Sequence, residues 1–152
     1  GAQNIGAGKP ERARQTLVYA ILIAAGVGLV LAIWIQFTAQ SIVALFTQAA
    51  AVAAAGGDYL RGYIWDSFFA GVQFSFSGYF CACGKSGLSF LHNFLSIVLA
   101  RVPGAYLACK RFPNTLYPMG LASAAGSLLS IIICVIAYAA LMRREKKSLQ
   151  GG

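Results

Sequence analysis

Apolar positions fall into four long runs, separated by short polar or glycine-rich breaks. The first run, residues 17–37, contains no charged side chain. It is long enough to cross a hydrocarbon core of ~30 Å at ~1.5 Å per residue. The chain stays apolar as far as Phe46 but is interrupted at Gln40 and Ser41, so this part either prolongs the helix or lies along the interface. An alanine-rich stretch, AAAVAAAGGDY, follows, and its Gly56 and Gly57 predict a turn. A second helix is expected over 58–80, ending at CACGKSG, where Gly84 and Gly87 flank Lys85. A third is expected over 88–107, with Pro103 breaking or kinking it near its end and KRFPN closing it. A fourth, over 119–142, runs into RREKK. The expected fold class is an all-α membrane protein with four transmembrane helices, and the whole chain, 1–152, reads as one unit.

Composition agrees with that pattern. The 152 residues are 59% hydrophobic and only 11% charged. A soluble domain ordinarily carries about 25% charged residues. The formal net charge of +8 raises the question of a nucleic-acid partner. The basic residues sit in connections and tails and not among aromatics on a soluble face, so nucleic-acid binding is set aside. Their distribution gives an orientation instead. Four crossings put both ends on one side, with Lys9, Arg12, Arg14, Lys85, Arg143, Arg144, Lys146 and Lys147, against Arg61, Lys110 and Arg111 on the other. That bias predicts cytoplasmic termini. The chain opens on polar, glycine-rich residues without an initiator Met, as expected of a piece of a longer protein, and no signal peptide is legible. KKSLQGG reads as a hydrophilic tail.

The four cysteines, Cys81, Cys83, Cys109 and Cys134, form no CxxC pair and are expected to be small buried thiols, with no metal ligated. Soluble-enzyme motifs are absent, and NIGAGK at 4–9 lacks the ending and the preceding strand of a phosphate loop. No enzyme activity and no cofactor are expected.

Chemistry concentrates at Asp66, which lies among Trp65, Phe68, Phe69 and Phe74. An Asp at the centre of a membrane helix costs on the order of 2.5–3.5 kcal/mol, and here it is expected about eight residues in, roughly 12 Å deep. On a helical wheel Asp66, Gln73 and Ser77 share one narrow stripe, which Tyr63 extends outward. A carboxylate above a polar stripe fits a wetted cavity holding a cation or a proton. The alternative is a static pair with Arg61 or Arg101. His92, near the cytoplasmic end of the third helix, is expected to be solvated or capping in preference to acting as a proton relay. Arg101 is expected either to snorkel outward or to pair with a carboxylate. Ser123, Ser127 and Ser130 line the last helix and are expected to bond back to their own backbone. Two small-residue faces, Ser67–Gly71–Ser75 and Ala122–Gly126–Ser130, predict close helix contacts.

Several stretches, in order, resemble the multidrug and toxic compound extrusion (MATE) family. QNIGAGKPERAR (3–14) resembles the family's cytoplasmic motif after the second helix of a lobe. YLRGYIWDSFF and FSGYFCACGKS resemble the tenth helix and its glycine-rich exit. ARVPGAYL (100–107) is similar to the eleventh helix, and LYPMGLASAAGSLLSIIICVIAY (116–138) to the twelfth. The resemblance implies the last four helices of a twelve-helix carrier, part of its C-terminal lobe, in the plasma membrane. It implies exchange of Na⁺ or H⁺ for organic cations such as drugs, and partners in the lipid bilayer and in a missing N-terminal lobe. NorM-type members place a cation-linked acid on the tenth helix. The register from Gly78 and Gly84 puts that position nearer Ala70, one turn from Asp66 on the same face. Rivals are a lipid or polysaccharide flippase of the same superfamily, disfavoured because Arg101 alone could line a cavity for an anion, and a non-transporting four-helix scaffold.

Overall fold

The computed structural model describes residues 1–150, with side chains described through residue 144. The contribution of Lys146 and Lys147 to the charge bias, and the end of the tail, lie outside those side chains. A short α1 (Ala2–Gly6) precedes Gly8, whose φ of +68° reverses the chain into α2 (Pro10–Ala44). Pro10 opens α2, where its missing N–H costs nothing. α2 runs for 35 residues, well beyond the expected 17–37, because neither the PERAR opening nor Gln40 and Ser41 interrupts its hydrogen bonding. α3 spans Ala50–Ala82, not 58–80. Gly56 and Gly57, expected as a turn, are helical, and Gly57 lets the backbone of Gln40 on α2 come close. α3 stops where expected: Gly84 takes a φ of +70°, and the N–H of Lys85 donates to the Phe80 carbonyl at 2.8 Å.

α4 (Ser86–Ser96) passes into a π-helical turn, Ile97–Arg101, and on into α5 (Val102–Arg111). Together they form one continuous 26-residue rod, Ser86–Arg111, where 88–107 was expected. Pro103 does not end it. The wide turn pairs the N–H of Val102 with the carbonyl of Ile97, five residues back. Pro103 then falls at the start of the resumed α-helix, where no donor is required. α6 spans Tyr117–Gln150 instead of 119–142.

α3 lies between α2 and α6, and the α4–α5 rod packs along α6 and, through α4, on α3. Where α3 crosses α6, Gly62 and Gly120 face each other. A Cβ on Gly62 would meet the Tyr117 carbonyl at 2.3 Å, and one on Gly120 the Tyr59 carbonyl at 2.4 Å. Both predicted small-residue faces make helix contacts: Gly71 packs on Ala24 of α2, while Ala122, Gly126 and Ser130 face the α4–α5 rod. An apolar cluster of Ala13, Leu17, Phe76, Tyr79, Phe80 and Cys134 joins α2, α3 and α6 at one end. Of the thiols only Cys134 is buried. Cys81 and Cys109 are exposed and Cys83 is half-buried, because their helix faces have no neighbour to cover them.

The distribution of side chains is inverted relative to a water-soluble bundle. Val18, Leu22, Ile23, Val27, Val30 and Phe37 point outward from α2, whereas Asp66, Gln73, His92, Ser96, Ser127 and Ser130 are buried. A bilayer is the solvent that accepts such a surface and drives polar groups inward to find each other. Three helical spans are long and apolar enough to cross a membrane among the described residues: Pro10–Ala44, Ser86–Arg111 and Tyr117–Arg144. The expected fourth, α3, falls outside that set because Asp66, Gln73 and many Gly and Ser residues dilute its apolar character.

Candidate functional site

A polar seam runs along the contact of α3, the α4–α5 rod and α6. Because α3 begins at Ala50, Asp66 stands at the middle of the helix and not about eight residues in, so its carboxylate needs compensation from within the bundle. Two donors supply it on the same oxygen. Arg101 Nη2 donates to Asp66 Oδ1 at 3.0 Å, and Ser127 Oγ donates to it at 2.5 Å. Ser127 Oγ in turn accepts from Arg101 Nη2 at 2.7 Å, so three helical elements meet in one closed triangle. Of the two anticipated cationic partners, Arg101 holds Asp66. Arg61 is engaged elsewhere, with Asp58 at 3.6 Å and through Nε to the Gln36 carbonyl at 3.1 Å.

Two features seat Arg101. The π-turn carries one residue more than an α-helical turn, which rotates Arg101 onto the α6 side of the rod. Gly126 on α6 leaves the room: a Cβ there would meet Arg101 Cγ at 2.4 Å. The pair is asymmetric. The Asp66 side chain is 6% exposed, whereas the Arg101 side chain is 31% exposed.

Farther along the seam, Gln73 Nε2 donates to Asn93 Oδ1, and Asn93 Nδ2 donates to the Ser89 carbonyl at 3.1 Å. The hydroxyls of Ser77 and Ser89 are in contact. Thus Asp66, Gln73 and Ser77 face the same neighbouring rod, as one stripe should, but each bonds a different residue of it. Tyr63 stands apart, half-buried and stacked on Tyr59 with ring centroids 5.7 Å apart. His92 is not solvated or capping. It is 1% exposed, with Nδ1 2.6 Å from Ser130 Oγ and its ring 6.4 Å from that of Phe80. Ser96 Oγ donates to the Gly126 carbonyl at 2.5 Å. Gln73 Oε1 and His92 Nε2 are buried without a protein partner. Ser127 and Ser130 bond across helices instead of back to their own backbone, because a carboxylate and an imidazole lie opposite them.

Sequence reasoning missed Ser127, Asn93 and Gly126 as parts of the seam. Their signal was the small and polar spacing along α6 and the third helix, which gave a face but no partner. A separate cavity of about 520 Å³, between the start of α2 and the end of α3, is lined by Thr16, Leu17, Phe74 and Tyr79 and does not reach Asp66.

A family model described as MatE matches residues 1–107, which takes in α1–α4, the π-turn and the start of α5. α6, with Ser127 and Ser130, lies beyond the matched segment. No curated protein and no solved structure matches the chain.

Proposed function

From the premise that the chain belongs to the MatE family of membrane transporters, we propose that it is the C-terminal-lobe portion of a cation-coupled antiporter, exchanging Na⁺ or H⁺ for organic cations such as drugs. All four long helices span the plasma membrane, α3 being shielded by α2 and α6, and both ends of the chain face the cytoplasm. An N-terminal lobe completes the carrier, and the chain does not transport alone.

One observation carries this reading: the one acidic side chain buried among the described residues sits at mid-helix in an apolar bundle, bound to a guanidinium that remains open to its surroundings. A group that costs this much to bury is a functional candidate by default. The oxygens of Asp66 and Ser127 are hard donors of the kind Na⁺ takes, and the carboxylate alone is enough for a proton. Gln73 and Ser77 continue the polar path from Asp66 toward the Gly84 end, and Tyr63 lies on the opposite, outer side. Exchange of ion and organic cation at the lobe then biases which side of the carrier opens.

The test is Asp66→Asn in the carrier that includes this chain. Export of a lipophilic cationic dye such as ethidium falls by about tenfold or more, the effect of losing roughly 1.4 kcal/mol of ion binding. Dye export and cell protection equal to wild type would show that Asp66 is not the coupling group.

A second reading rests on the same triangle. Asp66, Arg101 and Ser127 tie three helical elements together, which a non-transporting scaffold also needs. It expects neither ions nor dyes to change the stability of the purified protein. A lipid or polysaccharide flippase gains no support, since the guanidinium in the seam stands beside the Asp66 carboxylate, which repels an anionic substrate.

A further inference from the structure

We infer that Arg101 is a tethered competitor for the coupling cation: its guanidinium occupies the Asp66 carboxylate whenever no mobile cation does, and it sets how much ion the carrier requires. This rests on the reading of Asp66 as the coupling group and goes beyond it, assigning a residue that tunes apparent ion affinity.

The geometry is that of a seat built for a removable charge. Arg101 reaches Asp66 with a single nitrogen, Nη2, which it shares with Ser127, and not as a two-nitrogen fork. One-point attachment is weaker than bidentate pairing, and its release breaks a single contact to the carboxylate and one to the Ser127 hydroxyl. The Arg101 side chain is about one-third exposed while that of Asp66 is closed over, so the cation has an exit that the anion lacks. Ser127 Oγ remains beside the carboxylate when the guanidinium leaves and keeps an oxygen in place for the incoming ion.

The arginine is also mounted on the one stretch of its rod that departs from α-helical geometry, Ile97–Arg101, followed directly by Pro103. Single π-turns within α-helices are rare and recur at functional sites. Rotation by one residue, about 100°, carries Arg101 off the α6 face. Gly126 leaves the space through which Arg101 Cγ passes.

Charged and titratable groups facing this carboxylate are few. α6 offers only the neutral Ser127 hydroxyl; on α3, Asp58 and Arg61 lie more than a turn away and are paired with each other; on the rod, His92 is bonded to Ser130. The charged residues of α2, namely Glu11, Arg12 and Arg14, are confined to its first turns. Arg101 is thus the positive group that neutralises Asp66 between ion-bound states, so α3 does not carry a bare charge in the bilayer. A competing occupant lowers the fraction of sites open to the ion and raises the apparent dissociation constant in proportion.

The experiment measures dye–ion exchange by the carrier in liposomes as a function of ion concentration, Na⁺ and H⁺ in separate series, for wild type, Arg101→Gln, Arg101→Lys, Gly126→Ala and Asp66→Asn. Arg101→Gln is expected to lower the half-saturating ion concentration by about tenfold or more and to slow dye turnover, because the ion is no longer displaced. Arg101→Lys restores the charge and returns half-saturation toward wild type. Gly126→Ala keeps the arginine but fills its seat, and shifts half-saturation in the same direction by a smaller factor. It serves as the readout if Arg101→Gln does not fold. A half-saturating concentration unchanged or raised in Arg101→Gln and Gly126→Ala, with Asp66→Asn inactive, overturns the competitor role and leaves Asp66 as the coupling group. Wild-type ion dependence in Asp66→Asn overturns the underlying reading itself.

Discussion

Ser127 Oγ donates to Asp66 and accepts from Arg101, so removing one oxygen leaves both charged partners a bond short. Ser127→Ala is expected to cost about 1–3 kcal/mol, the penalty of stranding a buried charged acceptor. The cost is measurable as a fall in melting temperature of the purified carrier. Ser127→Thr, which keeps the hydroxyl, should lose much less, and equal losses in the two variants would show that the hydroxyl is not what matters. Asp66 was legible in the sequence because an acid in an apolar run is rare and expensive. Its partner was not, since Arg61 and Arg101 both lay within reach. The extra residue of the π-turn, invisible to a 3.6-residue wheel, turns Arg101 onto the α6 face, while Arg61 on α3 is held by Asp58 and the Gln36 carbonyl. His92 was misplaced for a related reason. Sequence position put it near a helix end, but Ser130 and Phe80 enclose it from α6 and α3.

At the scale of elements, the α3–α6 crossing is the contact that brings Ser127 to Asp66, and it depends on having no side chain at Gly62 and Gly120. Gly120→Ala is expected to force the helices apart at about 1–3 kcal/mol. The carrier's thermal stability would fall, and Asp66-dependent export with it. A variant as stable and active as wild type would mean that the crossing relaxes freely and does not position the triangle. The helices themselves were largely legible from the apolar runs, but their boundaries were not. Gly56 and Gly57 resemble a turn only in isolation; against Val43 and Gln40 of α2 they are contact surface, and tertiary packing keeps them helical. Pro103 resembles a break only if the preceding residues are α-helical. After a π-turn it opens the next helical segment at no cost in hydrogen bonds.

For the whole molecule, a composition of 59% hydrophobic and 11% charged residues made the membrane class readable, and the outward apolar faces of α2 agree with it. The family was readable from the ordered motifs between QNIGAGKPERAR and ARVPGAYL, the part of the chain that the MatE match covers. The seam was not readable, because its rungs join residues as far apart as Asp66 and Ser127, which no local pattern connects. The central claim is that this seam holds an exchangeable cation at Asp66. Its most direct test is the melting temperature of the purified carrier, titrated with Na⁺, with acid and with a lipophilic cationic dye, singly and together, in wild type and Asp66→Asn. The account predicts that one of the two ions raises the melting temperature of wild type, that the dye opposes that rise when added with the ion, and that Asp66→Asn loses the ion response. Identical ion responses in the two proteins, or none in wild type, would contradict it.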